Sequence, residues 1–164
     1  MGRSLDLVTS DADETRKLGG ALAGLLVPGD VISLTGELGA GKTCLVQGAA
    51  RALNVEEPVG SPTFVLVREY RGDLPIHHLD VYRLDRLQEV LDLGFEDLLD
   101  PEGVMFIEWG DAVEALLPES HLQVEIAGTA DDRRSVRVTA RGSSWAPRWE
   151  RLEDSLSRWT GEAA

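Results

Sequence analysis

The chain has a single cysteine, Cys44, among 164 residues. That excludes an intrachain disulfide and a cysteine-based metal cluster. No apolar run approaches the ~20 residues that a membrane-spanning helix needs. The N-terminus shows no basic segment followed by an apolar one, so no secretory leader is expected. Asp6 stands where N-myristoylation after Met1-Gly2 would want serine or threonine. The expected compartment is the cytoplasm, with no membrane partner. Basic residues are scarce too, with 16 Lys and Arg against 29 Asp and Glu, a formal net charge of −13 and a pI of about 4.5. Nucleic-acid affinity rests largely on neutralising phosphates, and this chain repels a polyanion at long range. Independent DNA or RNA binding is disfavoured, although Arg133, Arg134, Arg137 and Arg141 form a local basic cluster. Solubility alone would account for the acidity.

The most informative stretch present is Gly36-Glu37-Leu38-Gly39-Ala40-Gly41-Lys42-Thr43, which fits G-x-x-x-x-G-K-[ST], a phosphate-binding P-loop. Glycines let the backbone turn so that several N–H groups face phosphate oxygens. Lys42 supplies a mobile positive charge for the outer phosphates, and the Thr43 hydroxyl can ligate Mg²⁺. A helix beginning near Lys42 adds its positive dipole end. The context agrees with the motif. Val31 to Thr35 reads as a buried strand, and Leu45, Val46, Ala49, Ala50 and Leu53 recur at helical spacing behind the loop.

Length and an apolar fraction of 43% suit one domain with a proper core. Residues 5–8 read as a short strand. Ser10 is the expected N-cap of a helix whose Leu18, Ala21, Leu22 and Leu25 share a face, and Pro28-Gly29 stops it. Strands are predicted over 64–70 and 75–82, a helix after Asp85, and a buried strand over 103–107 ending in Glu108. A short helical piece is expected over 112–117. Alternation over 121–126 and 134–139, with turn residues between, predicts a hairpin. Trp149, Leu152, Leu156 and Trp159 trace the apolar face of a last helix. The expectation is an α/β fold comprising a single P-loop NTPase domain over 1–164, its core over about 5–140 and a helical tail over 143–164. Its central sheet is mixed and mostly parallel, with a C-terminal antiparallel hairpin and a terminal helix.

A P-loop needs an acid near its cation, and in open α/β sheets ligands bind at strand C-termini. Two acids qualify. Asp80 ends Ile76-His77-His78-Leu79, and Glu108 ends Val104-Met105-Phe106-Ile107. One would serve Mg²⁺ and the other orient the attacking water, in an order the sequence leaves open. Ser61-Pro62-Thr63 lies where P-loop switches place a hydroxyl, though a plain proline turn reads equally well. Trp109 either packs or flanks the site. His77 and His78 alternate to opposite faces, which makes a paired metal site poor. Cys44 is expected to pack within the P-loop helix. No Asn-Lys-x-Asp segment for guanine is present, so ATP is the expected nucleotide.

These motifs form an ordered series: Gly36 to Thr43, Ser61-Pro62-Thr63-Phe64, His78-Leu79-Asp80-Val81-Tyr82-Arg83-Leu84, Leu93-Gly94-Phe95-Glu96-Asp97 and Ile107-Glu108-Trp109. The series resembles the TsaE (YjeE) family, bacterial P-loop ATPases of tRNA N6-threonylcarbamoyladenosine biosynthesis. The resemblance runs from about Thr15 to Thr139. It implies slow, Mg²⁺-dependent ATP hydrolysis stimulated by partners. Those partners would be TsaB and TsaD, which modify adenosine 37 of tRNAs reading ANN codons, so that tRNA is met only indirectly. It also implies site roles. Glu37, Leu38, Gly39, Ala40, Gly41, Lys42, Thr43 and Cys44 would hold the nucleotide. Thr43 and Glu108 would bind Mg²⁺, Asp80 would be needed for hydrolysis, and Thr63 would be the switch-like hydroxyl. Trp109, grouped with the nucleotide-binding residues, would be a conformational or partner-facing residue. Thr9 or Ser10 would touch the nucleotide from the N-terminal side, and Arg134 or Arg133 from the hairpin. Asp111 stands where the family often has glutamate. The tail from Ser143, with Trp145, Trp149 and Trp159, matches no motif. Two other readings compete: a P-loop small-molecule kinase, for which no arginine-rich lid insertion is visible, and a non-hydrolysing ATP-dependent scaffold.

Overall fold

A computed structural model describes residues 3–36, 41–60, 67–81, 88, 91–92, 94, 99–109, 114–128 and 131–160. Seven strands form one sheet: β1 (Arg3–Thr9), β2 (Val31–Gly36), β3 (Val67–Tyr70), β4 (Ile76–Asp80), β5 (Val104–Glu108), β6 (His121–Gly128) and β7 (Arg134–Arg141). Their order across the sheet is β1-β7-β6-β2-β5-β4-β3. The inner four, β6, β2, β5 and β4, run parallel. Antiparallel pairings close both sides, β3 on β4 and the β6–β7 hairpin with β1. The sheet is thus mixed around a parallel centre, as expected, and five of its strands share one direction.

Helix α1 (Ala12–Ala23) and helix α2 (Lys42–Ala52) cover one face. The N-cap of α1 is Asp11, one residue after the expected Ser10, and its carboxylate accepts the Glu14 N–H at 2.8 Å. Asp13 and Glu14 in the first turn complement the helix dipole. A third helix, α3 (Trp149–Leu156), lies between two 3₁₀ turns and packs on α1. Its stripe of Trp149, Leu152 and Leu156, with Trp145 and Trp159, joins the main core. That core also takes Ile32, Leu34, Phe106, Leu122, Val124, Val136 and Val138 from the sheet. A smaller cluster on the opposite face holds Val31, Leu79, Val81, Met105 and Ile107. Alternation on β2, β4 and β5 therefore feeds two cores, as a sheet buried on both faces requires.

Residues 114–116 form a 3₁₀ turn, and the start of the short helix expected over 112–117 lies outside the described residues. The helix predicted after Asp85 falls mostly outside the described residues. Among the described residues no helix is long and apolar enough to cross a membrane.

Candidate nucleotide and cation site

The site grows from the ends of three parallel strands. β2 leads into the phosphate loop, of which Gly36 and Gly41 to Thr43 are described. Glu37, Leu38, Gly39 and Ala40 lie outside the described residues, as does Thr63. Gly41 caps α2 with φ +114°, in the left-handed region where a side chain is strained, so glycine is required at this turn. α2 then begins directly at Lys42, and its first-turn N–H groups face the loop.

Lys42 is buried, and its ammonium donates to the Gly36 carbonyl at 2.7 Å. The same Nζ lies 3.9 Å from the ring centroid of Trp109, a cation–π contact. Trp109 adopts φ +65°, uncommon for a bulky residue, while its N–H donates to the Leu34 carbonyl at 2.8 Å. This local backbone strain turns the chain immediately after Glu108 and brings the indole over Lys42.

Asp80 and Glu108 are direct partners in the parallel register of β4 and β5. Both lie at the strand C-termini, on the face that α2 covers. The Thr43 hydroxyl stands 3.3 and 3.4 Å from the two Glu108 carboxylate oxygens and donates toward them. Sequence reasoning thus chose Lys42, Thr43, Asp80, Glu108 and Trp109 from three separate segments, and the fold brings them to one end of the sheet. A carboxylate and a hydroxyl supply hard oxygen donors, suited to Mg²⁺ and not to a soft metal. Among the described residues no group of three or more His, Cys, Asp or Glu is arranged to hold a metal alone. Mg²⁺ is commonly held by one or two carboxylates with substrate phosphates, so the Thr43–Glu108 pair fits that ion.

One neighbour of this pair was missed. His78 is fully buried on β4, and its Nε2 lies 2.6 Å from Glu108 Oε2. The alternation that separates His77 from His78 also puts His78 on the face of Asp80, and that signal was readable. His77 points the other way, to Asp100 Oδ2 at 2.9 Å. That bond, with the Glu102 N–H, holds the Asp100 carboxyl below its ordinary value of 3.8. Tyr70, from β3, sets its ring 6.4 Å from that of His78. Burial pushes its phenol up from the ordinary 10.0.

The flanking residues are placed less directly. Thr9 ends β1 and is buried, with its hydroxyl 2.7 Å from that of Thr15. Gly41 faces the Thr15 methyl, so this hydroxyl pair sits beside the phosphate loop. Ser10 is exposed. Arg134 is the register partner of Thr9, and its guanidinium donates to the Arg133 carbonyl at 2.9 Å. Arg133 instead pairs with Asp131 at 3.0 Å on the surface. Cys44 is a half-buried free thiol on α2.

A strand, a glycine-capped phosphate loop and a helix, with acids from the adjoining strand ends, define the class: a P-loop nucleotide-binding α/β protein. Within that class the match is narrower. Residues 9–136 match the model of the TsaE family, described as "Threonylcarbamoyl adenosine biosynthesis protein TsaE". The chain is 40% identical over 151 residues to the Bacillus subtilis "tRNA threonylcarbamoyladenosine biosynthesis protein TsaE", covering 92% of each. It is 43% identical over 139 residues to the Streptomyces coelicolor protein of the same name, covering 80% of this chain and 93% of that one. The crystal structure of Bacillus subtilis YdiB superposes with a TM-score of 0.78 at 36% identity, over 96% of this chain and 97% of that one. The chain belongs to the TsaE family.

Proposed function

We propose that this protein is an ATPase of tRNA threonylcarbamoyladenosine biosynthesis, acting with TsaB and TsaD and meeting tRNA only through them. The observation that carries the ATPase is the convergence of Lys42, Thr43, Asp80 and Glu108 at one sheet end. Family membership carries the pathway, since the relatives are named for threonylcarbamoyladenosine biosynthesis. The acidic chain, at −13, fits indirect contact with tRNA.

Each residue has a defined task in this reading. The loop backbone, the α2 N-terminus and Lys42 bind the phosphates and face the charge that develops on the γ-phosphoryl group. Lys42 must leave the Gly36 carbonyl to do so, and the Trp109 ring keeps it beside the loop. Mg²⁺, when bound, would neutralise phosphate charge, with Thr43 and Glu108 holding it. Asp80, level with Glu108 in the register, orients the attacking water. Thr63 is the switch-like hydroxyl, and Thr9, with Arg134, flanks the nucleotide.

ATP turnover should rise markedly when purified TsaB and TsaD are added to the protein. Lys42→Ala should lose nucleotide binding together with turnover. Asp80→Ala should keep ATP binding and lose turnover by about 10²-fold or more. No stimulation despite verified complex formation would overturn the pathway role. Full activity of Asp80→Ala would remove that residue from the chemistry.

A further inference from the structure

We propose that His78 is a positioning residue that holds the Glu108 carboxylate in the orientation needed to bind Mg²⁺ with Thr43. The inference rests on the Mg²⁺-nucleotide reading above and extends it to a residue outside the phosphate loop and the two strand-end acids.

The geometry is diagonal. His78 pairs with Phe106 in the register, one step before the Asp80–Glu108 pair and on the same face. From that rung it reaches forward to Glu108 Oε2 at 2.6 Å, while Thr43 approaches the carboxylate from α2 at 3.3 and 3.4 Å. An ionised carboxylate only accepts hydrogen bonds, so His78 Nε2 carries the proton and donates. Glu108 is therefore gripped from β4 on one side and faces Thr43 on the other. A glutamate side chain has several rotatable bonds, and this grip removes most of their freedom before the cation arrives.

The other ring nitrogen argues that the contact is more than packing. His78 Nδ1 is buried and has no hydrogen-bond partner among the described residues. Burying a polar atom without a partner costs free energy, which an apolar ring in the same place would not incur. The position accepts that cost, and the hydrogen bond to Glu108 is what the histidine provides in return. Partners that orient metal-ligating carboxylates act in this way elsewhere.

The test is calorimetric ADP binding in EDTA and over a Mg²⁺ titration, for the wild-type protein, four single variants and one double variant. Glu108→Ala removes the ligand. His78→Phe keeps an aromatic ring without nitrogen. His78→Gln places an amide N–H where Nε2 stood, and His78→Asn places its amide only as far as Nδ1. His78→Phe and His78→Asn should bind ADP in EDTA within about twofold of wild type, yet need about 10–100-fold more Mg²⁺ to reach the half-point. His78→Gln should recover most of that loss. In the Glu108→Ala background, His78→Asn should add nothing, because the two changes act through one contact. An unchanged Mg²⁺ half-point in His78→Asn would overturn the proposal, as would equal losses in EDTA and in Mg²⁺, which mark a role in folding alone. The Gln and Asn pair decides the matter even if the Phe variant does not fold. A wild type whose ADP binding ignores Mg²⁺ would overturn the Mg²⁺-nucleotide reading and this inference with it. A Mg²⁺ response lost in Glu108→Ala but intact in the His78 variants would overturn this inference alone.

Discussion

Neighbouring histidines on β4 show how one residue of offset changes a side chain's role. His78 faces the core beneath α2 and meets Glu108, while His77 faces away and meets Asp100 in the turn before β5. The Asp100 contact makes a prediction of its own. A carboxyl held below 3.8 in the folded chain adds stability that is complete above that value. The contribution is lost as pH falls through the lower, folded value, because protonation then removes the acceptor. In His77→Phe the Asp100 carboxyl should titrate closer to 3.8 by carbon-detected NMR, still lowered somewhat by the Glu102 N–H. An Asp100 titration unchanged by that substitution would assign the shift to the backbone alone. At this scale the sequence was informative wherever chemistry is local. Lys42 and Thr43 follow from a contiguous motif, and Asp80 and Glu108 from their places at strand ends. The face of His78 was legible from alternation, but its contact with Glu108, like that of Thr9 with Thr15, was not, because each contact joins two elements whose relative placement no local pattern states.

Among the elements, the α1–α2 contact decides where the phosphate loop sits. The two helices approach so closely that a Cβ on Gly48 would run into the Arg16 carbonyl, and one on Gly19 into that of Leu45. Arg16 also donates to the Gln47 side chain at 3.1 Å, and Gln47 in turn donates to the Val59 carbonyl at 2.8 Å, tying α1, α2 and the 55–59 segment together. Gly48→Ala should therefore push the helices apart and cost about 1–3 kcal/mol by urea unfolding, as overpacking does. Because α2 starts at Lys42, the same variant should also bind nucleotide more weakly. Unaltered stability would mean that the helices slide without strain. The elements themselves were largely legible. Strict alternation in β6 and β7 gave the hairpin, and 3.6-residue spacing gave α1, α2 and α3. The displaced cap of α1 has a simple origin. Serine and aspartate both suit an N-cap, Ser10 and Asp11 stand side by side, and only the formed helix shows which one accepts the third residue's N–H.

At the scale of the whole molecule, the C-terminal tail is fastened at the end of the sheet opposite the site. Arg148 donates to both Asp30 carboxylate oxygens, at 2.6 and 3.0 Å, and to the Leu25 carbonyl at 2.9 Å. Asp30 precedes β2, so this pair marks the start of the strand whose far end opens into the phosphate loop. Both side chains are nearly buried, at 11% and 7% exposure, and the Trp145 ring stacks on the guanidinium at 3.7 Å. Asp30 also accepts the Val27 N–H at 2.8 Å, which fixes the turn after α1. Removing one partner of such a pair strands a buried charge. Arg148→Ala should accordingly cost about 3–5 kcal/mol of stability in urea unfolding. Replacing both partners with apolar residues, as in Asp30→Leu with Arg148→Met, should recover a large part of that loss. Trp145, Trp149 and Trp159 sit in the core that the tail completes, so its release should shift their fluorescence to longer wavelength. ADP affinity of the folded Arg148→Ala protein should stay within about twofold of wild type, since β2 separates the ion pair from the site and distant sites act almost independently. A large loss of ADP affinity with no fluorescence shift would instead show that the tail supports the nucleotide site through the sheet.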